Sequence, residues 1–273
     1  MSLAAKLPYD HPYAGGFSGI GSQPLPTDAD AIDYLSRMAT ADGAGVEVSV
    51  AVAVDAFVAA LKADSLWDAI GSSCLLAGPR TLAGALVPLK GDAPTSYGFV
   101  QGDFDRLGLT GDYTSYLDTG YAYDQNQDNE HMSLYRSAAG ATTQNWMGGG
   151  NYGDGNGTFT RLSHYSGYVR PASQGNLTPY AEATVPSGFA GVSRSGSAVT
   201  VRYNGSDKSQ TVASKSVSGI TSTFAVFAVK YNDLGVVGYS NQKASFYSIG
   251  TSLDLSKLDT HISSYVTAIG AAL

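Results

Sequence analysis

Apolar positions along the chain follow a helical period at its two ends and a strand period between them. Ile32, Leu35 and Met38 recur at helical spacing behind Thr27 and Asp28, both good capping residues, with Asp30 placed to complete the cap. Asp42-Gly43-Ala44-Gly45 ends that helix. The next run fits two periods: Val46, Val48, Val50, Val52 and Val54 alternate as in a strand, while Val50, Val54, Phe57, Val58 and Leu61 share one helix face. The alanine-rich continuation to Ala63 carries the longer period, so a helix is expected. Asp64 or Ser65 then starts a further short helix bearing Leu66, Trp67 and Ile70.

From Thr81 onward, short Val, Phe, Tyr and Thr stretches alternate with Gly, Asn and Asp clusters, the pattern of many antiparallel strands. Residues 198–203, Asn204-Gly205 and residues 206–212 read as a hairpin with a tight primed turn. Residues 223–231 read as one buried strand and residues 245–249 as another. Gly148 to Gly157 reads as a turn or long loop. Leu255, Leu258, Ile262, Val266 and Ile269 form the apolar stripe of a closing helix. The expected fold is mainly β: an antiparallel two-sheet sandwich with N-terminal helices and a C-terminal helix. Its divisions are an extended arm (1–26), a helical lead-in (27–80), the sandwich (81–252) and the C-terminal helix (253–273).

The arm holds Pro8, Pro12, Pro24 and Pro26 among glycines, which rules out a propagating helix or central strand. Its Tyr9, Tyr13, Phe17 and Ile20 are too apolar for a plain linker and suit a segment that docks on something, either a partner or its own domain.

Composition narrows the partners. Hydrophobic residues make up 43% of the 273 and charged residues only 14%, with a net charge of −7. A core is affordable, and no basic stripe exists to bind nucleic acid. The single cysteine, Cys74, follows an apolar pattern and reads as a core thiol. The first residues lack the continuous apolar region of a signal peptide, and the most apolar run, residues 46–61, is interrupted by Glu47 and Asp55, so no membrane insertion is expected.

Candidate chemistry is sparse. Glu47, Glu130 and Glu182 each stand alone, without the closely spaced carboxylate partner that glycoside hydrolysis needs. Asp124, Asn126 and Asp128 alternate as at the start of a calcium loop, but Tyr135 occupies the position where a bidentate Glu would close it. The plainer reading is a polar hairpin tip between strands. The four histidines have no metal-ligand spacing, so no cofactor is expected. What stands out is aromatic: Tyr121, Tyr123, Trp146, Tyr152, Tyr165 and Tyr168 lie in or beside Asn- and Gly-rich segments. They fit a glycan surface, a subunit contact, or ordinary core packing.

Asp28-Ala29-Asp30-Ala31-Ile32, Lys62-Ala63-Asp64-Ser65-Leu66-Trp67-Asp68-Ala69-Ile70 and Leu76-Ala77-Gly78-Pro79-Arg80-Thr81-Leu82-Ala83-Gly84-Ala85-Leu86 resemble the lead-in of concanavalin A/laminin-G-like bacteriophage and prophage virion proteins. The resemblance continues through Gly108-Leu109-Thr110-Gly111-Asp112, Tyr116-Leu117-Asp118-Thr119-Gly120 and the ending Phe246-Tyr247-Ser248-Ile249-Gly250, over residues 28–273. It implies a jelly-roll sandwich of the concanavalin A-like kind and a structural, non-enzymatic virion protein. Such a protein is made in the host cytoplasm and displayed on a tail, fibre or capsid beside other virion proteins, as a homo-oligomer with a trimer favoured. A carbohydrate-binding receptor recogniser at a tail fibre is the alternative, and a glycan hydrolase a third.

Overall fold

A computed structural model describes residues 25–141, 143–153, 157–181 and 187–273. Tyr9, Tyr13, Phe17 and Ile20 of the arm lie outside the described residues.

The two longer N-terminal helices form where the spacing predicts. α1 (Ala29–Asp42) is capped by Asp28, whose carboxylate accepts the N–H groups of Asp30 and Ala31, and ends at Gly43 in the left-handed conformation. Lys62 bridges the Asp28 and Asp30 carboxylates at 2.7 and 2.5 Å. The ambiguous valine run is α2 (Val48–Ala63), and burial of Val50, Val54, Phe57, Val58 and Leu61 decides the period. The further short helix does not form. Trp67–Ala69 is a single 3-10 turn, and Ile70 opens β1 (Ile70–Leu75). Sheet structure therefore begins inside the stretch assigned to the helical lead-in, ahead of α3 (Leu82–Ala85). Pairing of β1 with the last strand, far away in sequence, overrides the local pattern.

Two nine-stranded sheets pack face to face. The first runs β14 (Ser206–Thr211), β13 (Ala198–Tyr203), β12 (Gly188–Ser195), β7 (Asn129–Ala138), β18 (Lys243–Gly250), β1 and β2 (Pro88–Lys90), with β5 (Gly108–Thr110) beside β18 and β4 (Phe104–Asp105) beside β5. The second runs β11 (Tyr180–Ala181), β10 (Tyr168–Val169), β9 (Thr158–Tyr165), β8 (Gln144–Asn151), β15 (Thr223–Val226), β6 (Tyr116–Ala122) and β3 (Thr95–Tyr97), with β16 (Val229–Tyr231) and β17 (Gly235–Val237) off that path. This is the mainly β, antiparallel jelly-roll sandwich expected. The β13–β14 turn is primed, with Asn204 and Gly205 at φ 51° and 71°.

Strand alternation separates two cores. Met132, Leu134, Val192, Phe224, Val226 and Tyr247 point between the sheets. Phe246 and Phe189 point the other way, against Tyr34, Phe57, Leu61 and the stripe of α4 (Leu255–Ala272). The layers are thus helices, first sheet, second sheet. Among the described residues, no helix lies on the outer face of the second sheet.

Candidate functional site: the open face of the second sheet

The period of two fixes which side chains that open face carries. Leu117 of β6 enters the core, so its neighbours Tyr116 and Asp118 face out. Tyr97 of β3 is registered opposite Tyr116, and the two rings stack 4.6 Å apart at 5°, with Tyr239 edge-on at 6.1 Å. On β9, Leu162 enters the core, so Phe159, Arg161, Ser163 and Tyr165 face out. A tight turn at Ser166-Gly167, φ 52° and 78°, pairs Tyr165 with Tyr168, and the Arg170 N–H donates to the Ser163 carbonyl at 2.8 Å. Tyr168 and Arg170 therefore join the same face.

A hairpin ridge divides it. Gly148, Gly149 and Gly150 were expected in a turn or loop, but they lie in β8, because the strand has neighbours too close for a side chain. A Cβ on Gly148 would sit 2.6 Å from the Thr160 carbonyl oxygen, and one on Gly150 would sit 2.5 Å from Phe159 Cα. β16 runs parallel over these same glycines. The single strand expected over residues 223–231 is consequently two, reversed at Phe227 with φ 71°. Val229 and Tyr231 pack with Phe159, Ala172 and Val237 on one flank of the ridge. On the other, Lys230 donates to the Asp118 carboxylate and to Thr223. Burial raises the Asp118 carboxyl, but hydrogen bonds from Lys230, Thr223 and the Gly120 N–H outweigh it and hold the group below the usual carboxylate range.

The six aromatic candidates separate. Tyr165, Tyr168 and Tyr152 are 51%, 44% and 37% exposed. Tyr165 and Tyr168 sit on the open face, and Tyr152 packs with Phe159 and Tyr231 near the hairpin tip, where Asp233 accepts its N–H. Trp146 and Tyr123 are buried between the sheets and offer no surface to a glycan or a subunit. Trp146 stacks on Tyr203 at 5.8 Å and lies under the Arg136 guanidinium at 3.8 Å. Tyr121 is half-buried against the same core, its hydroxyl accepting from Asn126 at 2.6 Å. Neighbouring Asn and Gly residues suggested loops, but β6 to β7 is a crossing between the sheets, not a hairpin, and it carries Tyr121 and Tyr123 inward.

The three residues of the calcium alternative lie on that crossing. The Asp128 carboxylate is held by Arg194 at 2.6 Å and by Ser214, the Asn126 amide donates to the Tyr121 hydroxyl, and Asp124 is exposed. Among the described residues no group of three or more His, Cys, Asp or Glu is arranged for a metal.

Two buried polar clusters escaped the sequence reading. Glu130 accepts from Thr160 at 2.6 Å, Ser173 at 2.7 Å and Gln174 at 3.2 Å, yet burial still pushes its carboxyl up. His131 meets Ser248 Oγ at 3.0 Å and the Thr251 carbonyl at 2.6 Å, with Ser133 Oγ 2.7 Å from Ser248 Oγ. A Ser-His pair with an oriented ring has the parts of a nucleophilic site. Here it is sealed beneath the helices, with Ser248 and Ser133 wholly buried, and burial lowers His131 to about 4. Cys74 is likewise buried, near Tyr247, its thiol raised to about 12 by desolvation. These groups hold the fold.

No family model matches this chain, and no curated protein does. Solved structures with a related sandwich include the CBM40 of Ruminococcus gnavus IT-sialidase, 15% identical, covering 55% of this chain and 95% of that one with a TM-score of 0.41. Domain 4 of AbnA, a GH43 extracellular arabinanase from Geobacillus stearothermophilus, is 17% identical over 63% of this chain and 82% of its own, with a TM-score of 0.39. The NanB sialidase from Streptococcus pneumoniae is 11% identical over 56% of this chain with a TM-score of 0.42, and the match spans 27% of that protein. Likeness of this extent concerns the sandwich architecture alone.

Proposed function

We propose that this chain is a non-catalytic glycan-binding module that engages sugars through the open face of its second sheet. The observation that carries the reading is the tyrosines of that face, Tyr97, Tyr116, Tyr239, Tyr165 and Tyr168, held on or beside strands and left partly or largely in solvent while the helices cover the opposite sheet. Flat rings receive the C–H faces of a pyranose, and hydroxyls and amides around them fix its orientation. Catalysis has no support there. Asp118 is committed to Lys230 and Thr223, and Asp233, at the hairpin tip, to the backbone of Tyr152 and Gly153.

A glycan array probed with the wild-type chain, Tyr165→Ala/Tyr168→Ala and Tyr97→Ala/Tyr116→Ala tests the proposal. Wild type binds, and at least one double variant loses tenfold or more while its melting temperature holds. An array with no wild-type signal, or equal signals from all three chains, contradicts it.

Display on a bacteriophage particle is a second part of the proposal, resting on the sequence resemblance. The described chain begins at Leu25, and the Thr27 N–H donates to Asp55 of α2 at 2.9 Å. An anchoring arm at residues 1–26 belongs to the same reading. Trimeric self-association belongs to the same part of the proposal, and light scattering on the purified chain tests it.

A further inference from the structure

We propose that the β9–β10 flank of the open face takes an acidic saccharide, one bearing carboxylate or sulfate, through Arg161 and Arg170; this rests on the glycan-binding reading and names the ligand class of the same face. The chain is acidic, with a net charge of −7, and its other described arginines are provided for. Arg37, Arg80, Arg106, Arg194 and Arg202 each meet a carboxylate, and Arg136 is buried under Trp146 and Tyr203. Arg161 and Arg170 form no ion pair with any described residue, and the Nε of each is buried without a hydrogen-bond partner.

The two lie on neighbouring strands in a fixed relation. Arg161 is bridged to Ala172, and Arg170 is tied to Ser163 by reciprocal bonds: its N–H to the Ser163 carbonyl, and the Ser163 hydroxyl to its own carbonyl at 3.0 Å. Each guanidinium rests on a ring, Arg161 4.8 Å from the Phe159 centroid and Arg170 5.0 Å from that of Tyr165. Arg161 also donates to the Tyr231 hydroxyl at 3.3 Å. The rings fix the cations against the sheet by a cation–π contact, and no described carboxylate compensates the charge. A guanidinium half removed from water without a counter-charge gains strongly from an incoming oxyanion, and its planar fork suits carboxylate and sulfate alike.

Arg161 leans back along β9 toward Phe159, whereas Arg170 leans toward the turn and Tyr165. They mark two separated points on one flank, with Ser163 between and Tyr168 beyond. An extended oligosaccharide with acidic groups on more than one residue matches this better than a single small anion. The overall negative charge gives no long-range attraction to such a ligand, so recognition depends on these two side chains and weakens with salt.

The test uses the full chain on an array of uronate-, sialyl- and sulfate-bearing glycans, each printed beside its methyl-esterified, desialylated or desulfated counterpart. Wild type favours the acidic member of at least one pair by tenfold or more. Arg161→Gln/Arg170→Gln abolishes that preference with its melting temperature and any neutral binding intact, and Arg161→Lys/Arg170→Lys keeps part of it. The identity of the preferred pairs separates carboxylate from sulfate. Equal binding of acidic and neutral members, or a preference that survives the glutamines, overturns this inference and leaves the glycan-binding reading standing. Failure of wild type to bind any glycan overturns both.

Discussion

At the residue scale, burial reassigns chemistry that sequence context suggests. Trp146 and Tyr165 both stand beside polar, glycine-rich neighbours, yet one fills the space between the sheets and the other is half in water. Which face a strand residue takes depends on the partner strand, and a one-residue bulge between Asn145 and Met147 shifts the alternation in β8. His131 gives the sharpest prediction at this scale. Its ordinary value of 6.5 falls to about 4 in the folded state because burial disfavours the imidazolium. The unfolded chain takes the proton first, so the contribution of this residue to stability is fully present above pH 6.5 and is lost as pH falls toward 4. The loss amounts to roughly 3 kcal/mol. Burial raises Glu130, whose carboxyl therefore costs stability as pH rises above its ordinary range, an opposing trend. Subtracting the denaturation curves of His131→Gln from those of wild type across this window isolates the histidine. A difference that does not change with pH contradicts the assignment.

At the element scale, what the sequence made legible is local. The α1 cap at Asp28, the Asn204-Gly205 turn and the stripe of α4 all declare themselves within a few residues. The paired Tyr165-Ser166-Gly167-Tyr168 turn carried enough signal to align Tyr165 with Tyr168 and Ser163 with Arg170, which would have exposed the arginine flank. β1 and β8 were not legible, because pairing across long sequence separations defines them: Leu75 with Phe246, and Met147 with Val226. Gly150 tests that account. It has φ +131° and no room for a methyl beside Phe159, so Gly150→Ala destabilises by about 1–3 kcal/mol from backbone strain, with steric cost added. Gly167→Ala, at φ +78° with open space around it, meets the strain alone and loses less. Urea denaturation of the two variants measures the difference, and equal losses would mean that β8 is not so closely flanked.

At the scale of the whole molecule, the layers assign different work to the two sides. The helices seal the first sheet with a second apolar core, and the outer face of the second sheet keeps its tyrosines and two arginines that form no ion pair with a described residue. If the arm docks on a partner, removal of residues 1–26 leaves the melting temperature unchanged while that docking is lost; an unfolded truncation would mean that the arm completes the domain. The proposed binding surface is the open face of the second sheet. A residue-resolved NMR shift map, recorded while the isotope-labelled chain is titrated with a glycan selected on the array, tests it most directly. The expected map centres on β3, β6, β9 and β10, with the largest shifts around Tyr97, Tyr116, Tyr165, Tyr168 and Arg170. Shifts confined to α1, α2 and α4, with the second sheet unmoved, would contradict it.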